Sequence, residues 1–410
     1  MSRSQSLVVL GGADGSVGAY LRARELGYRT VCVDVRTDAP AVAVADELVE
    51  VSVREPERIA AVLAGRSDVV GVLCPASDVG LPAQAWLTRH WGLPHPLPDA
   101  AVAASVDKAV FRRLLGTLDL PRYTSVAGVP GPRLAARART LRFPVLVKPV
   151  DSSGSRGIEQ VAAPARLAGA FARAVAFSMV GRVVVEEYVE GAHLSVEALV
   201  VGGVVAFHAV TRRTVTPPPN WVTTAHRTPA GLPPGVDDHL VEALTAVCAA
   251  LGYRNGPLSA DAVLGTDGRL YLVEMAARLG GNGLAELVEA AYGVDLVGGM
   301  IALATGRTPV LHPHPAADAS AVMLAVSNGG QVVAVEGAER VRAMPWVQRL
   351  YVFAAEGDVV HPYEQAGHKL GYVVLRADSP DDLHRAERAV HETLAFRLAP
   401  SDDDAAVGWP

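Results

Sequence analysis

Asp261 and Glu274 stand on two apolar runs, 257–264 and 270–275, which a short turn at Gly265, Thr266, Asp267 and Gly268 joins. Closing that hairpin brings the two carboxylates nearly opposite each other on neighbouring strands, where they repel unless a cation lies between them. Mg²⁺ suits hard oxygen ligands of this kind, because it takes one or two carboxylates and completes its shell with substrate phosphates and water. A solvated pair of strand acids is the other reading. Four residues after Glu274 comes Arg278, followed by Leu279, Gly280, Gly281, Asn282 and Gly283. Bare backbone there lets a ligand approach closely, and an arginine can hold a carboxylate or a transferring phosphoryl group.

Upstream, Lys148 ends the apolar run 143–149, where an ammonium group is costly to bury without an anionic partner; a phosphate is one such partner. Asp151, Ser152, Ser153, Gly154, Ser155, Arg156 and Gly157 follow as a hydroxyl-rich glycine loop. Its amides can close over phosphate oxygens, although a simple hairpin tip has the same composition. Further on, 183–185 runs into Glu186, Glu187, Tyr188, Val189, Glu190 and Gly191. Such a strand edge can offer adenine a backbone donor and acceptor, with a carboxylate for its amino group; the plain alternative is a strand with a charged exit. Lys108, after Val106 and Asp107, is by default a surface lysine.

These groups need a frame. A strand at 7–10, a glycine turn, a helical pattern at 17–26 and a strand at 30–33 open the chain in parallel α/β style, and the rhythm continues at 59–63, 69–74 and 81–90. Pro94, Pro96 and Pro98 mark a linker. The spacing then predicts a helix over 107–118, β-rich stretches at 143–149, 183–189 and 195–210, and a proline-rich loop at 216–221, with 216–222 as the candidate lid. A helix over 237–252 precedes the acidic hairpin. After His312, short β-like runs (321–326, 331–335, 350–354, 371–376) lead to a helix over 381–398, with Ser379 as N-cap and Pro380 at N1. The expected division is 1–100, 101–310 with a lid at about 120–190, 311–398, and a flexible tail 399–410.

Composition narrows the field. Half of the 410 residues are apolar and 20% are charged, without an uninterrupted apolar run of membrane length, so no membrane partner is expected. The net charge of −6 and the lack of a basic run argue against nucleic acid. The N-terminus shows no secretory pattern, and Cys32, Cys74 and Cys248 are far apart in apolar surroundings, as expected of free thiols in the cytoplasm. The glycines at 11, 12, 15 and 18, with Asp34 at the next strand end, resemble a dinucleotide fingerprint, but Ala13 breaks the G-x-G-x-x-G spacing and speaks against NAD. Asp78, past the strand 69–74, is either a ligand-crevice acid or a helix cap.

Taken in order, Lys108, Lys148 with its glycine loop, the Glu186-Glu187-Tyr188-Val189 hinge, the Asp261 and Glu274 pair, and Arg278 with Gly280 and Gly281 resemble the ATP-grasp superfamily. Within it the likeness is to carboxylate-amine ligases of the L-amino acid ligase type, over nearly the whole chain. The resemblance implies an α/β ATP-grasp fold: an N-terminal Rossmann-like domain, a central ATP-grasp domain with a lid, and a small β-rich C-terminal domain. It implies ATP with its phosphates on Lys108 and Lys148 under Ser152, Ser153, Gly154 and Ser155, and its adenine on Glu186 and the backbone at Glu187 and Val189. Ribose would fall to Glu190 or His193, and Mg²⁺ to Asp261 and Glu274. Arg278, Gly280, Gly281, Asn282 and His226, the last in a His-x-x-Pro element, would meet the substrate.

The implied activity is amide formation between a small-molecule carboxylate and an amine, both of amino-acid type, through an acyl phosphate with release of ADP and phosphate. A carboxylase-like or purine-biosynthetic enzyme and a non-catalytic nucleotide-binding module are the alternatives, and a homodimer is the commonest assembly. Three departures stand out. Ala276 replaces an asparagine frequent two residues after the second metal acid, Asp261 replaces the commoner glutamate, and His193 occupies a place where a ribose-contacting glutamate is frequent.

Overall fold

The computed structural model describes residues 5–399; the tail expected from 399 onward lies, from residue 400, outside the described residues. Ser6–Leu10 (β1), Arg29–Val33 (β2), Glu47–Val49 (β3) and Val69–Leu73 (β4) form a parallel sheet ordered β3-β2-β1-β4. Every residue of β1 is buried, which is why it reads as a continuous apolar run rather than an alternating one. Crossover helices Val17–Glu25 and Pro56–Val62 bring the carboxyl ends of these strands to one side, and Leu81–His90 follows β4. There the Asp34 carboxylate accepts hydrogen bonds from the Gly12 and Arg36 N–H groups at 2.8 and 2.9 Å. Where a dinucleotide-binding acid would hold a ribose, this one braces the glycine turn.

Ser125–Gly128 (β5), Val145–Pro149 (β6), Glu159–Val161 (β7) and Val183–Glu187 (β8) make a four-stranded antiparallel sheet ordered β5-β8-β6-β7. Helices Pro132–Ala138 and Leu167–Ala176 cover one face and close a core of its own around Leu134, Val147, Phe171 and Val185.

The remaining strands are Gly191–Val201 (β9), Val204–Val215 (β10), Thr223–Thr228 (β11), Gly256–Gly265 (β12), Leu270–Ala276 (β13), Asp318–Leu324 (β14), Gly330–Glu336 (β15), Val347–Val352 (β16), Val359–Val360 (β17), Gly371–Ala377 (β18) and Ala395–Leu398 (β19). Eight of them form one sheet, β13-β12-β9-β10-β11-β14-β18-β16. The stretch read as 195–210 is thus two strands, folded back on each other at Gly202 and Gly203, both with positive φ. Of the β-rich C-terminal strands, β14, β18 and β16 continue the large sheet through the antiparallel pairing of β14 with β11, while β15, β17 and β19 form a three-stranded sheet of their own. The expected helix over 381–398 also needs correction. It spans Pro380–Thr393, capped by the Ser379 hydroxyl as expected, and 395–398 is a strand. Pairing of β19 with β15 overrides local helical preference there.

Helices Leu284–Tyr292 and Leu296–Ala304 bend by 111° and together are apolar enough to resemble a broken span. Leu296, Met300 and Ile301 instead share a core with Leu7 and Val9 of β1 and Leu199 of β9, joining the parallel sheet to the large one. Among the described residues no single helix is long and apolar enough to cross a membrane.

Candidate functional site

A cavity of about 600 Å³ lies where the three main sheets meet. Its walls include Lys108, Lys148, Ser152, Ser153, Gly154, Ser155, Glu186, Glu187, Val189 and His193, and on the other side His226, Asp261, Glu274, Arg278, Gly280, Gly281 and Asn282. Of the residues that the resemblance assigns to ATP, metal or substrate, Glu190 alone does not line it; that residue borders a neighbouring depression with Thr266 and Tyr271. The cavity continues over the carboxyl ends of the parallel sheet, past Asp14, Arg36 and Asp78.

Lys148, 5% exposed on β6, has an anionic partner, but it is protein: its Nζ lies 2.7 Å from Glu186 Oε2 across the β6–β8 pair. Arg112, on the helix Lys108–Leu115, reaches the other oxygen at 2.6 Å. Burial alone would push the Glu186 carboxyl up; the two cations outweigh it and hold it down at about 2. Arg112 thus takes Glu186 Oε1, while Oε2 faces Lys148 as an ion pair and has no hydrogen-bond partner among the described residues. The Glu187 N–H is bonded to the Thr124 carbonyl at 3.0 Å, which leaves Val189 as the hinge residue whose N–H has no partner among the described residues.

The glycine loop is pinned at both ends. Asp151 accepts from Ser178 Oγ and from the Met179 and Val180 N–H groups at 2.7 to 3.1 Å. At its tip Ser155 Oγ donates to the Trp221 carbonyl at 3.0 Å, and the Ala366 N–H donates to the Gly154 carbonyl at 3.0 Å. Lys108 Nζ donates to the Ser152 carbonyl at 2.6 Å, so this lysine is part of the site rather than of the open surface.

Asp261 and Glu274 are direct register partners on β12 and β13. Lys108 Nζ lies 3.5 Å from the half-exposed Glu274. Asp261 accepts from Ser195 Oγ at 2.7 Å and forms an ion pair with Arg213. Arg278 is held by Asp78 at 2.6 Å and by its own donation to the Leu279 carbonyl at 2.8 Å. Asp78 thus lies on the cavity wall at the carboxyl end of the parallel sheet, as the crevice reading has it, and anchors the arginine there; the following helix has no side-chain cap. Behind the glycines, buried Glu197 accepts from the Gly280 N–H and Ser259 Oγ at 2.8 and 2.7 Å, and burial pushes its carboxyl up to about 7. A side chain at 280 would run into this carboxylate. His226 is enclosed, 3.2 Å from Thr211 Oγ1; burial and the Arg213 charge lower it to about 3, so the imidazole is neutral at pH 7. His193, beside the Trp221 ring at 5.7 Å, is lowered to about 4 by burial and then by Arg213.

The donor set fits a magnesium nucleotide. Ser152 Oγ, His193 Nδ1, Arg213 Nε and Trp221 Nε1 are buried without a hydrogen-bond partner and all belong to residues lining this cavity, an arrangement that is costly unless a polar ligand completes it. Two facing carboxylates with no third acid or histidine nearby among the described residues suit Mg²⁺, which draws its remaining ligands from phosphate and water. Ser155, Trp221 and Asn282 hold positive φ values of 61°, 53° and 60° at the cavity wall, strained backbone of the kind that collects at binding sites.

Sequence reasoning missed Arg112, Arg213, Ser195 and Glu197. The strongest available signal was in β9 and β10, where Glu197 interrupts an apolar run and Arg213 follows Arg212 in a strand; neither says which side chain faces inward.

The ATP-grasp domain family matches residues 141–286, and the family of L-amino acid ligase C-terminal domain 2 matches 322–399. An uncharacterized protein of Sinorhizobium fredii is 26% identical over 77% of this chain, and carnosine synthase 1 of Gallus gallus is 31% identical over 47%. The chain spans 66% of the length of the first and 23% of the second. The solved L-amino acid ligase from Bacillus licheniformis superposes with a TM-score of 0.81, at 19% identity, over 98% of this chain and 100% of its own.

Proposed function

From a chain that has the ATP-grasp fold and carries an L-amino acid ligase type C-terminal region, we propose an ATP-dependent ligase that joins a small-molecule carboxylate to an amine, both of the amino-acid class. The supporting observation is the single cavity that gathers Lys148, the loop 151–157, the Asp261 and Glu274 pair and Arg278 from separate sheets. Residues 1–100, 101–310 and 311–398 are the working units of this reading.

ATP enters as a substrate, its phosphates between Lys108, Lys148 and the loop amides, its adenine at the Glu187 to Val189 hinge. Bound Mg²⁺, held by Glu274 with Asp261 opposite, would neutralise phosphate charge. The substrate carboxylate lies against Arg278 and the amides of Gly280 and Gly281. One of its oxygens attacks the γ-phosphorus, ADP leaves, and the amine attacks the acyl carbon of the resulting acyl phosphate. Phosphate departs with that oxygen and the amine gives up a proton. Arg278 is suited to the charge that develops, because Asp78 fixes its position and, against burial, which disfavours the charge, keeps the guanidinium protonated. No protein nucleophile is needed; alignment and fixed charge supply the acceleration.

A phosphate-release screen of amino acids, singly and in pairs, tests this reading with Arg278→Ala as control. Release that requires one particular pair and disappears in the variant is the expected result. Bicarbonate-dependent release would favour a carboxylase-like enzyme, and tight ATP binding without turnover on any pair a binding module.

A further inference from the structure

The phosphate end of the cavity holds a cation that the metal pair alone does not explain. Arg213 extends from β10, two strands away from β12, to Asp261, and its side chain is 18% exposed. One of its nitrogens pairs with Asp261 Oδ2, while its Nε is buried and has no acceptor. Asp261 Oδ1 already accepts from Ser195. Both oxygens of the first metal acid therefore have a protein donor. Ala276 lines the same cavity with no ligand atom, and among the described residues no three acids, histidines or cysteines come together. The half-exposed Glu274 is the better available metal ligand.

Resting on the ATP reading above, we infer that Arg213 is a γ-phosphate ligand and that, with both Asp261 oxygens taken by protein donors, the chain works with a single divalent ion held chiefly by Glu274. Asp261 orients Arg213 in this arrangement. A guanidinium stays protonated throughout the working pH range, and its planar fork can grip Asp261 and a phosphate oxygen together. The depressed pKa values of His193 and His226, both lowered in part by Arg213, agree with a guanidinium facing the cavity between them.

The full chain, Mn²⁺ as the EPR-visible ion, and the β,γ-imido analogue of ATP provide the test. One Mn²⁺ per chain–nucleotide complex at saturation is expected. Arg213→Met should weaken the analogue by about tenfold to a hundredfold, the range of a lost charge-assisted hydrogen bond, while ADP affinity changes by less than about threefold. Arg213→Lys should lie between. Two Mn²⁺ per wild-type complex would overturn the inference without touching the ATP reading, and so would parallel losses of analogue and ADP. Failure of the wild-type chain to bind either nucleotide would overturn the ATP reading and this inference with it.

Discussion

Replacing Glu186 by glutamine preserves volume but leaves Arg112 and Lys148, 8% and 6% exposed at the side chain, facing a neutral group in the sheet interior. Burial opposes the charge on Glu186, yet the cations take its carboxyl from the ordinary 4.5 down to about 2. At about 1.4 kcal/mol per tenfold change in proton affinity this is worth about 3 kcal/mol. Breaking a buried ion pair by removing one partner costs about 3–5 kcal/mol, so the two scales agree. Because the folded pKa is depressed, the stabilisation is complete above about 4.5 and is lost as pH falls toward 2. Urea unfolding of wild type and Glu186→Gln should differ by about 3 kcal/mol at pH 7, and the gap should narrow between about pH 4.5 and 3. A gap under about 1 kcal/mol at pH 7, or one that does not change with pH, would refute the ion-pair reasoning.

Arg278→Ala should lower kcat by about a hundredfold or more while the KM for ATP moves only a few-fold, as for a lost oxyanion donor; a change in KM alone would place the arginine in ground-state binding. Gly280→Ala drives a methyl group into the Glu197 carboxylate and Leu284, and should cost about 1–3 kcal/mol in thermal or urea stability together with activity. His193 and His226 are held neutral below their ordinary 6.5, so the unfolded chain gains protons first as pH falls and stability declines below about 6.5. His226→Gln should flatten that decline in urea midpoints measured from pH 7 to 5, whereas an unchanged slope would remove His226 from the linkage. Chelating divalent ions should abolish turnover, and adding back Mg²⁺ should restore it.

Much of the site was legible because its residues interrupt strong local patterns. Lys148 ends an apolar strand, and the turn at 265–268 sets the hairpin register that pairs Asp261 with Glu274. Legibility failed where a side chain depends on a distant partner. Glu186 stands out in its strand, but nothing nearby foretells that Arg112, 74 residues earlier, claims it. Arg212 and Arg213 are indistinguishable in sequence; the sheet turns Arg212 toward the Ala230 carbonyl and Arg213 toward Asp261. The same limit explains 395–398, which continues a helical pattern locally and becomes a strand only because β15 offers an edge. In the fold at large, the parallel opener and the hairpin followed from periodicity, whereas the fusion of β14 to β11 required knowing which edges remained free.

Isotope transfer tests the ligase reading most directly. With the carboxylate substrate of the active pair labelled with ¹⁸O in its carboxyl group, the reaction through an acyl phosphate predicts one labelled oxygen in each phosphate released, together with an amide product that retains the other. Labelled carboxylate that yields only unlabelled phosphate while product forms would contradict it.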